Sequence, residues 1–170
     1  MALFITGNEK ADTSMKHPNY LKAILFTEDF CEVGGSVLQS SCYTIQEYTY
    51  RCFRNRDELG NSYGPIRSGY LEFTIRVDVE RGSKRFYQRM AEQDNAPFSF
   101  IFNASFLPNG RLKGYDDGMV TYGYIVDIEE FCSDVGEGLT SQMLLRIKVL
   151  LSNIVYVGHD TPRNLYITHD

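Results

Sequence analysis

The residues of this chain that bear acid–base, nucleophilic or metal-binding groups are few and scattered. There are three histidines. His17 stands in a polar N-terminal stretch, while His159 and His169 each precede an aspartate near the other end of the chain. A His-Asp dyad supports hydrolysis only where a Ser or Cys nucleophile is presented beside it, and neither dipeptide lies near such a residue in a strand-end turn. Asp116-Asp117 would supply the paired carboxylates of general acid–base catalysis, but Gly118 follows at once and the triplet reads as a turn. Glu129-Glu130 ends a strand-like run and reads as solvated. The four cysteines, Cys31, Cys42, Cys52 and Cys132, form no CxxC pair and sit in or beside strand-like runs, the setting of free thiols packed as small hydrophobes. HExxH, GxSxG, GxGxxG, phosphate-loop and EF-hand patterns are all absent. The sequence predicts no catalytic residue, no metal site and no cofactor, and the chain reads as a non-enzyme.

The elements carry more information than these groups do. Gly69 to Val79 alternates without a break, with Leu71, Phe73, Ile75, Val77 and Val79 on one side and Glu72, Thr74, Arg76 and Asp78 on the other. That is the period of a strand with one dry and one wet face. From Gly82 to Gln93 the period changes to that of a helix, with Phe86, Tyr87, Met90 and Ala91 as the expected apolar stripe. Pro97 to Phe106 returns to period two, placing Phe98, Phe100, Phe102 and Phe106 on one expected face. The rest of the chain must pack around this strand–helix–strand unit.

Further strands are predicted at Tyr20–Phe26, Val37–Arg51, Met119–Glu130 and Leu139–Val157. The second has a wet face on either assignment. In the third, Val120, Tyr122, Tyr124, Val126 and Ile128 share a face; in the last, Met143, Leu145, Ile147, Val149 and Leu151 alternate with Gln142, Leu144, Arg146, Lys148 and Leu150. A strand as long as the last one bends and serves both layers of a barrel or sandwich. Between Cys52 and Ser68 lies a charged, turn-rich stretch without a period. Connections longer than about 12 residues usually do a job. Leu59, Tyr63 and Ile66 within it point to an interaction.

At 170 residues the chain is read as one domain with a core of its own. Its 12 Tyr and 11 Phe with no Trp favour strands. Net charge is −5 with both signs interspersed, which offers no basic face to nucleic acid. No window approaches roughly 18 uncharged apolar residues, so no membrane insertion is expected. The N-terminus lacks the basic and apolar regions of a signal peptide, so the chain is expected to begin in the cytoplasm. Strand edges and polar strand faces exceed what a lone barrel needs, and closed rings of identical subunits are one way to bury them.

In this order the features resemble the tube protein of type VI secretion systems, the haemolysin-coregulated protein (Hcp) family, and most of all its Bacteroidetes-type branch. The matching residues are Cys42-Tyr-Thr-Ile45, Gly60-Asn-Ser-Tyr-Gly-Pro65 and Ser68-Gly-Tyr-Leu-Glu-Phe-Thr-Ile75, then a helix with Phe86 and Met90, a strand like Phe98–Phe106, an aromatic strand ending near Cys132 and a last strand closing on Val157-Gly158. The resemblance covers residues 20–158 and leaves an arm over 1–19 and a tail over 159–170. It implies a mainly β fold: a small antiparallel β-barrel of two packed sheets with one short flanking helix. It also implies hexameric rings that stack into a tube, which meets sheath and spike proteins, carries effectors and is secreted when the apparatus fires. The loop that reaches the next ring would be Cys52–Ser68, with Arg54, Asp57, Leu59, Tyr63 and Ile66. The lumen face would include Glu72, Thr74 and Arg76 or Gln142, Arg146 and Lys148. A barrel binding a small apolar ligand in its interior is the alternative, and the Phe-rich strand 98–106 argues for a filled core instead.

Overall fold

The computed structural model describes residues 23–29, 37–78, 82–133, 142–157 and 163–166, and of Cys52, Ser68 and residues 163–166 the backbone alone. The expected arm over 1–19, the start of the first strand at Tyr20, Cys31, Val79, most of the loop after Ser133, and the three histidines with their neighbouring aspartates lie outside the described residues.

Among the described residues the strands are β1 (Ala23–Phe26), β2 (Tyr43–Arg56), β3 (Ser62–Val77), β4 (Ala96–Phe102), β5 (Ser105–Phe106), β6 (Leu112–Gly114), β7 (Asp117–Ser133), β8 (Gln142–Val157) and β9 (Arg163–Tyr166), with one α-helix, α1 (Lys84–Glu92), between β3 and β4. Six of them close into an antiparallel barrel in the order β1-β2-β3-β8-β7-β4, with β4 returning to β1. The long β8 pairs with β3 from Met143 to Leu150 and then with β9 from Asn153 to Tyr156. Residues 163–166, within the tail over 159–170, thus cover the edge of β8 that β3 leaves open.

The alternation read from the sequence places Leu71, Phe73 and Ile75 inside, together with Leu145, Ile147, Val149 and Leu151. Phe98 and Phe100 meet them from β4, and Phe73 lies edge-on to Phe100 at 5.6 Å. Each such side chain contributes about 1.5–3 kcal/mol when fully buried. Together they fill the barrel. Outside it, β5, β6 and residues 37–42 fold over a second cluster with Phe26, Ile101, Val120 and Val157. Phe106 belongs to this outer cluster and not to the face of Phe98, because β4 ends at Phe102 and Asn103 turns the chain at φ 52°.

Bulges explain where simple periodicity misleads. Ile45 pairs with Ile75 but Glu47 pairs with Thr74, so Gln46 is the extra residue, and Tyr48 and Tyr50 pass to the side of Tyr43 and Ile45. That shift is why β2 looks wet on either assignment. In β7 the expected face divides three ways. Val120 and Tyr122 lie under the outer cluster, Tyr124 and Val126 are exposed, and Ile128 returns to the interior after the bulge between Ile125 and Asp127.

Helix α1 plugs one end of the barrel. Phe86 is fully buried against Tyr43, ring centroids 5.2 Å apart. The rest of the expected stripe is corrected: Tyr87, Met90 and Ala91 are exposed, and the second buried residue is Arg89, one turn on from Phe86. Its aliphatic stem lies among apolar groups, while the guanidinium donates to the carbonyls of Pro97 (3.0 Å) and Thr27. At the opposite end Tyr48 stacks toward Phe100 and Phe102, and the Tyr50 and Tyr156 hydroxyls meet at 2.6 Å.

Candidate assembly surfaces

The stretch expected to be an aperiodic loop is a β-hairpin. Strand β3 meets β8 only from Tyr70 onward, so among the described strands Ser62 to Gly69 is paired with β2 alone, and a two-stranded ribbon continues beyond the barrel at the end away from α1. Its missing period has a physical cause. Phe53 pairs with Arg67 but Asn55 pairs with Tyr63, which leaves a bulge at Gly64, Pro65 and Ile66. Gly64 takes φ 76°, Pro65 sits where no ladder N–H is needed, and the Arg54 Nε donates across the bulge to the Gly64 carbonyl at 2.9 Å.

The apex is fixed by Asp57. Its Oδ1 accepts from the amides of Asn61 (2.8 Å) and Leu59 (3.0 Å), and its Oδ2 accepts from the Asn61 side chain at 3.2 Å. Hydrogen bonding, led by the Asn61 amide, holds the carboxyl below its ordinary pKa. On this ordered turn Leu59 is 87% exposed, and Tyr63 beside it 53%. Ile66 differs from both: it packs back against the barrel core.

The expected wet faces of β3 and β8 prove to be one surface, extended by β7. Register sets its rows. Tyr70, Leu150 and Tyr124 lie side by side; then Glu72, Lys148 and Asp127; then Thr74, Arg146 and Glu129; then Arg76, Leu144 and Phe131; then Gln142 and Ser133. Arg146 pairs with Glu129 at 2.7 Å and lies over the Phe131 ring at 4.8 Å, and the Lys148 ammonium sits 4.5 Å from the Tyr70 centroid. Thr74 is the exception, 3% exposed with its hydroxyl on Glu47 (3.2 Å), so it lies beneath this face. Acidic and basic groups alternate across its middle rows, with Tyr70, Leu150 and Tyr124 on one side of them and Leu144 and Phe131 on the other.

No family model matches the chain, and no curated protein matches it. Solved structures do. "Crystal structure of Hcp protein" matches with TM-score 0.61 at 13% identity over 88% of this chain and 99% of that one. The Hcp1 protein from E. coli EAEC 042 matches with TM-score 0.59 at 14% identity over 85% and 97%. A type six secretion system protein matches with TM-score 0.56 at 10% identity over 84% and 93%. The fold is that of the Hcp proteins.

Within this Hcp fold Asp116, Glu129 and Glu130 make polar contacts with neighbouring side chains. Asp116 accepts from Asn103 at 3.0 Å, Glu129 pairs with Arg146, and Glu130 accepts from the Tyr87 hydroxyl at 3.4 Å. Among the described residues no group of His, Cys, Asp and Glu is placed to hold a metal. Cys42 is buried as expected, whereas Cys132 is exposed next to the last residue of β7. The barrel interior is filled by the aromatic and aliphatic side chains named above. Among the described residues there is an open groove of about 700 Å³ on the outside, between residues 38–42 and the β5–β6 turn. Sequence periodicity gave no sign of it, because its walls are brought together by the Leu38–Arg111 bridge. No helix among the described residues is long and apolar enough to cross a membrane.

Proposed function

We propose that this chain is a structural tube subunit of a type VI secretion system, built into hexameric rings that stack and are propelled into a target cell with effectors aboard. The observation that carries the proposal is the arrangement of one Hcp-fold barrel: a solid interior, a helix at one end and an ordered, apolar-tipped hairpin projecting from the other. A filled barrel has nothing to offer a substrate, and its outer surfaces remain as the place where it acts. The hairpin residues Arg54, Asp57, Leu59 and Tyr63 reach the next ring, and Ile66 anchors the base of the ribbon. The rows that carry Glu72, Arg76, Arg146 and Lys148, with neutral Gln142 at their end, line the lumen, where alternating signs favour passage over adhesion. Sheath and spike proteins are the other partners, and the protein is cytoplasmic until the apparatus fires. The Bacteroidetes-type assignment rests on the sequence motifs at 42–45, 60–65 and 68–75.

Negative-stain electron microscopy of the purified protein, paired with light scattering, tests this reading. Six-fold rings with a central hole are expected, stacking into tubes at high concentration. Monomers alone at every concentration would refute it.

A further inference from the structure

The hairpin apex and the outer groove are complementary features of the same chain. Leu59 is an apolar side chain 87% exposed on a turn that Asp57 holds in one conformation. Presenting it costs little ordering on contact, because the turn is already made. The groove offers what such a knob lacks. It is lined by Ile24, Cys42, Phe106 and Pro108 together with Gln39 and Asn109. The Pro108–Gly110 wall is held in place by the Gln39 amide on the Gly110 carbonyl and the Leu112 amide on the Val37 carbonyl, each at 2.8 Å.

Charge matches as well as shape. Acidic Glu58 adjoins Leu59 at the apex, and exposed Arg111 follows Gly110 of the groove lining and bridges to Leu38, which also lines it. A knob and a socket at different places on one surface join copies head to tail and not face to face. Resting on the tube-subunit reading, we infer that the outer groove is the socket for the hairpin apex of a second copy, with Leu59 seated between residues 38–42 and the β5–β6 turn and Glu58 against Arg111. The groove, at about 700 Å³, exceeds one side chain and takes the whole apex turn.

Disulfide trapping tests the contact. In a Cys132→Ser background, Leu59→Cys protein is mixed with Asn109→Cys protein under oxidising conditions, at a concentration where light scattering shows oligomers. The expected result is a mixed disulfide between the two variants as the main product, with Leu59→Cys and a control Gln88→Cys on the helix leaving none. A charge exchange supplies a second measurement free of cysteines. Glu58→Lys and Arg111→Glu are each expected to weaken assembly at least tenfold in concentration, and the two together in one chain to restore it. Oligomers that form without the mixed disulfide and without charge restoration overturn the socket and leave the tube-subunit reading standing. Absence of oligomers at any concentration overturns both. A disulfide from Asn109→Cys to a cysteine placed at Leu3 of the same chain, formed in preference to the apex, also overturns the inference, since the groove would then be filled from within.

Discussion

Arg89 of the plugging helix holds its guanidinium over the ring of Phe98, 5.3 Å from the centroid, while donating to the backbone carbonyls of Pro97 and Thr27. Burial, then the nearby Arg85, lowers its pKa, yet an arginine stays protonated far above neutrality. The group therefore works as a permanent cationic clamp between α1, the start of β4 and the end of β1. Arg89→Ala is expected to lower stability by about 3 kcal/mol, because buried acceptors lose their donor. Thermal melting should fall by roughly 10 °C. Arg89→Lys should recover only part of the loss, since an ammonium cannot span both carbonyls and the ring. A melting curve for Arg89→Ala that overlays the parent would show that the clamp is idle.

Gly123 is required where β7 passes closest to β8. An added Cβ would fall inside contact distance of the Leu150 carbonyl and 2.6 Å from Val149 Cγ1, at the register shift between Tyr122 and Gly123. Backbone on one side and a fully buried Val149 on the other leave little room to yield. Gly123→Ala is expected to destabilise by about 1–3 kcal/mol, read as a lower urea midpoint with an unchanged slope. A stabilised variant would mean that the strands part at no cost.

Much of the barrel is legible in the sequence because its interior strands keep strict period two. Leu71, Phe73 and Ile75, and Leu145 through Leu151, fall inside where alternation puts them. Three things escape it. A bulge changes phase without a sequence mark of its own, which is how Tyr48 joins the side of Tyr43 and Ile45, and how Val126 is exposed while Ile128 packs inside. A buried arginine is counted as polar by any pattern, so Arg89 is passed over in favour of Tyr87 and Met90, which are exposed. The hairpin reads as loop because Gly60, Gly64 and Pro65 suppress both strand propensity and period, while its pairing depends on Asp57 and Arg54. Of the site residues, Leu59 and Tyr63 were legible as apolar groups in a polar stretch, whereas the groove depends on a long-range bridge that no local pattern reports.

The Arg146–Glu129 pair is solvent-exposed, with side chains 36% and 58% accessible, and pairs of this kind contribute about 0–1 kcal/mol. Glu129→Gln should therefore leave melting within about 2 °C of the parent. If these rows line a lumen, reversing Arg146 and Lys148 to Glu should leave the barrel equally folded and ring assembly intact, while changing which cargo is retained. Pull-down of added effector proteins by parent and variant rings, compared at matched ring concentration, measures that difference. Identical retention of acidic and basic cargo by both would remove this face from the lumen.

Leu59→Ser with Tyr63→Ser removes the apolar tip and touches nothing in the core, since both side chains are mostly in solvent. Circular dichroism and melting should match the parent within about 0.5 kcal/mol, as for surface changes elsewhere. Tube length in electron micrographs should collapse to single rings. Tubes of parental length would dismiss the hairpin as the stacking element.

Asp57 gives the apex a defined dependence on acid. Its folded pKa lies below the ordinary carboxylate value, led by the hydrogen bond from the Asn61 amide. A depressed value means that the unfolded turn binds the proton more readily, so the contribution is complete above about pH 4 and is lost as pH falls through the folded value. Stacking through the apex should accordingly hold at neutral pH and weaken only in acid below about 4. In an NMR titration the Asp57 carboxyl should move with a midpoint below about 3.9, and the amides of Leu59 and Asn61 should move with it. Asp57→Asn keeps an oxygen for those amides but cannot titrate, so its apex resonances should stay still over the same range. A midpoint at or above the ordinary value would mean that the carboxyl does not hold the turn, and the rigid presentation of Leu59 would need another cause.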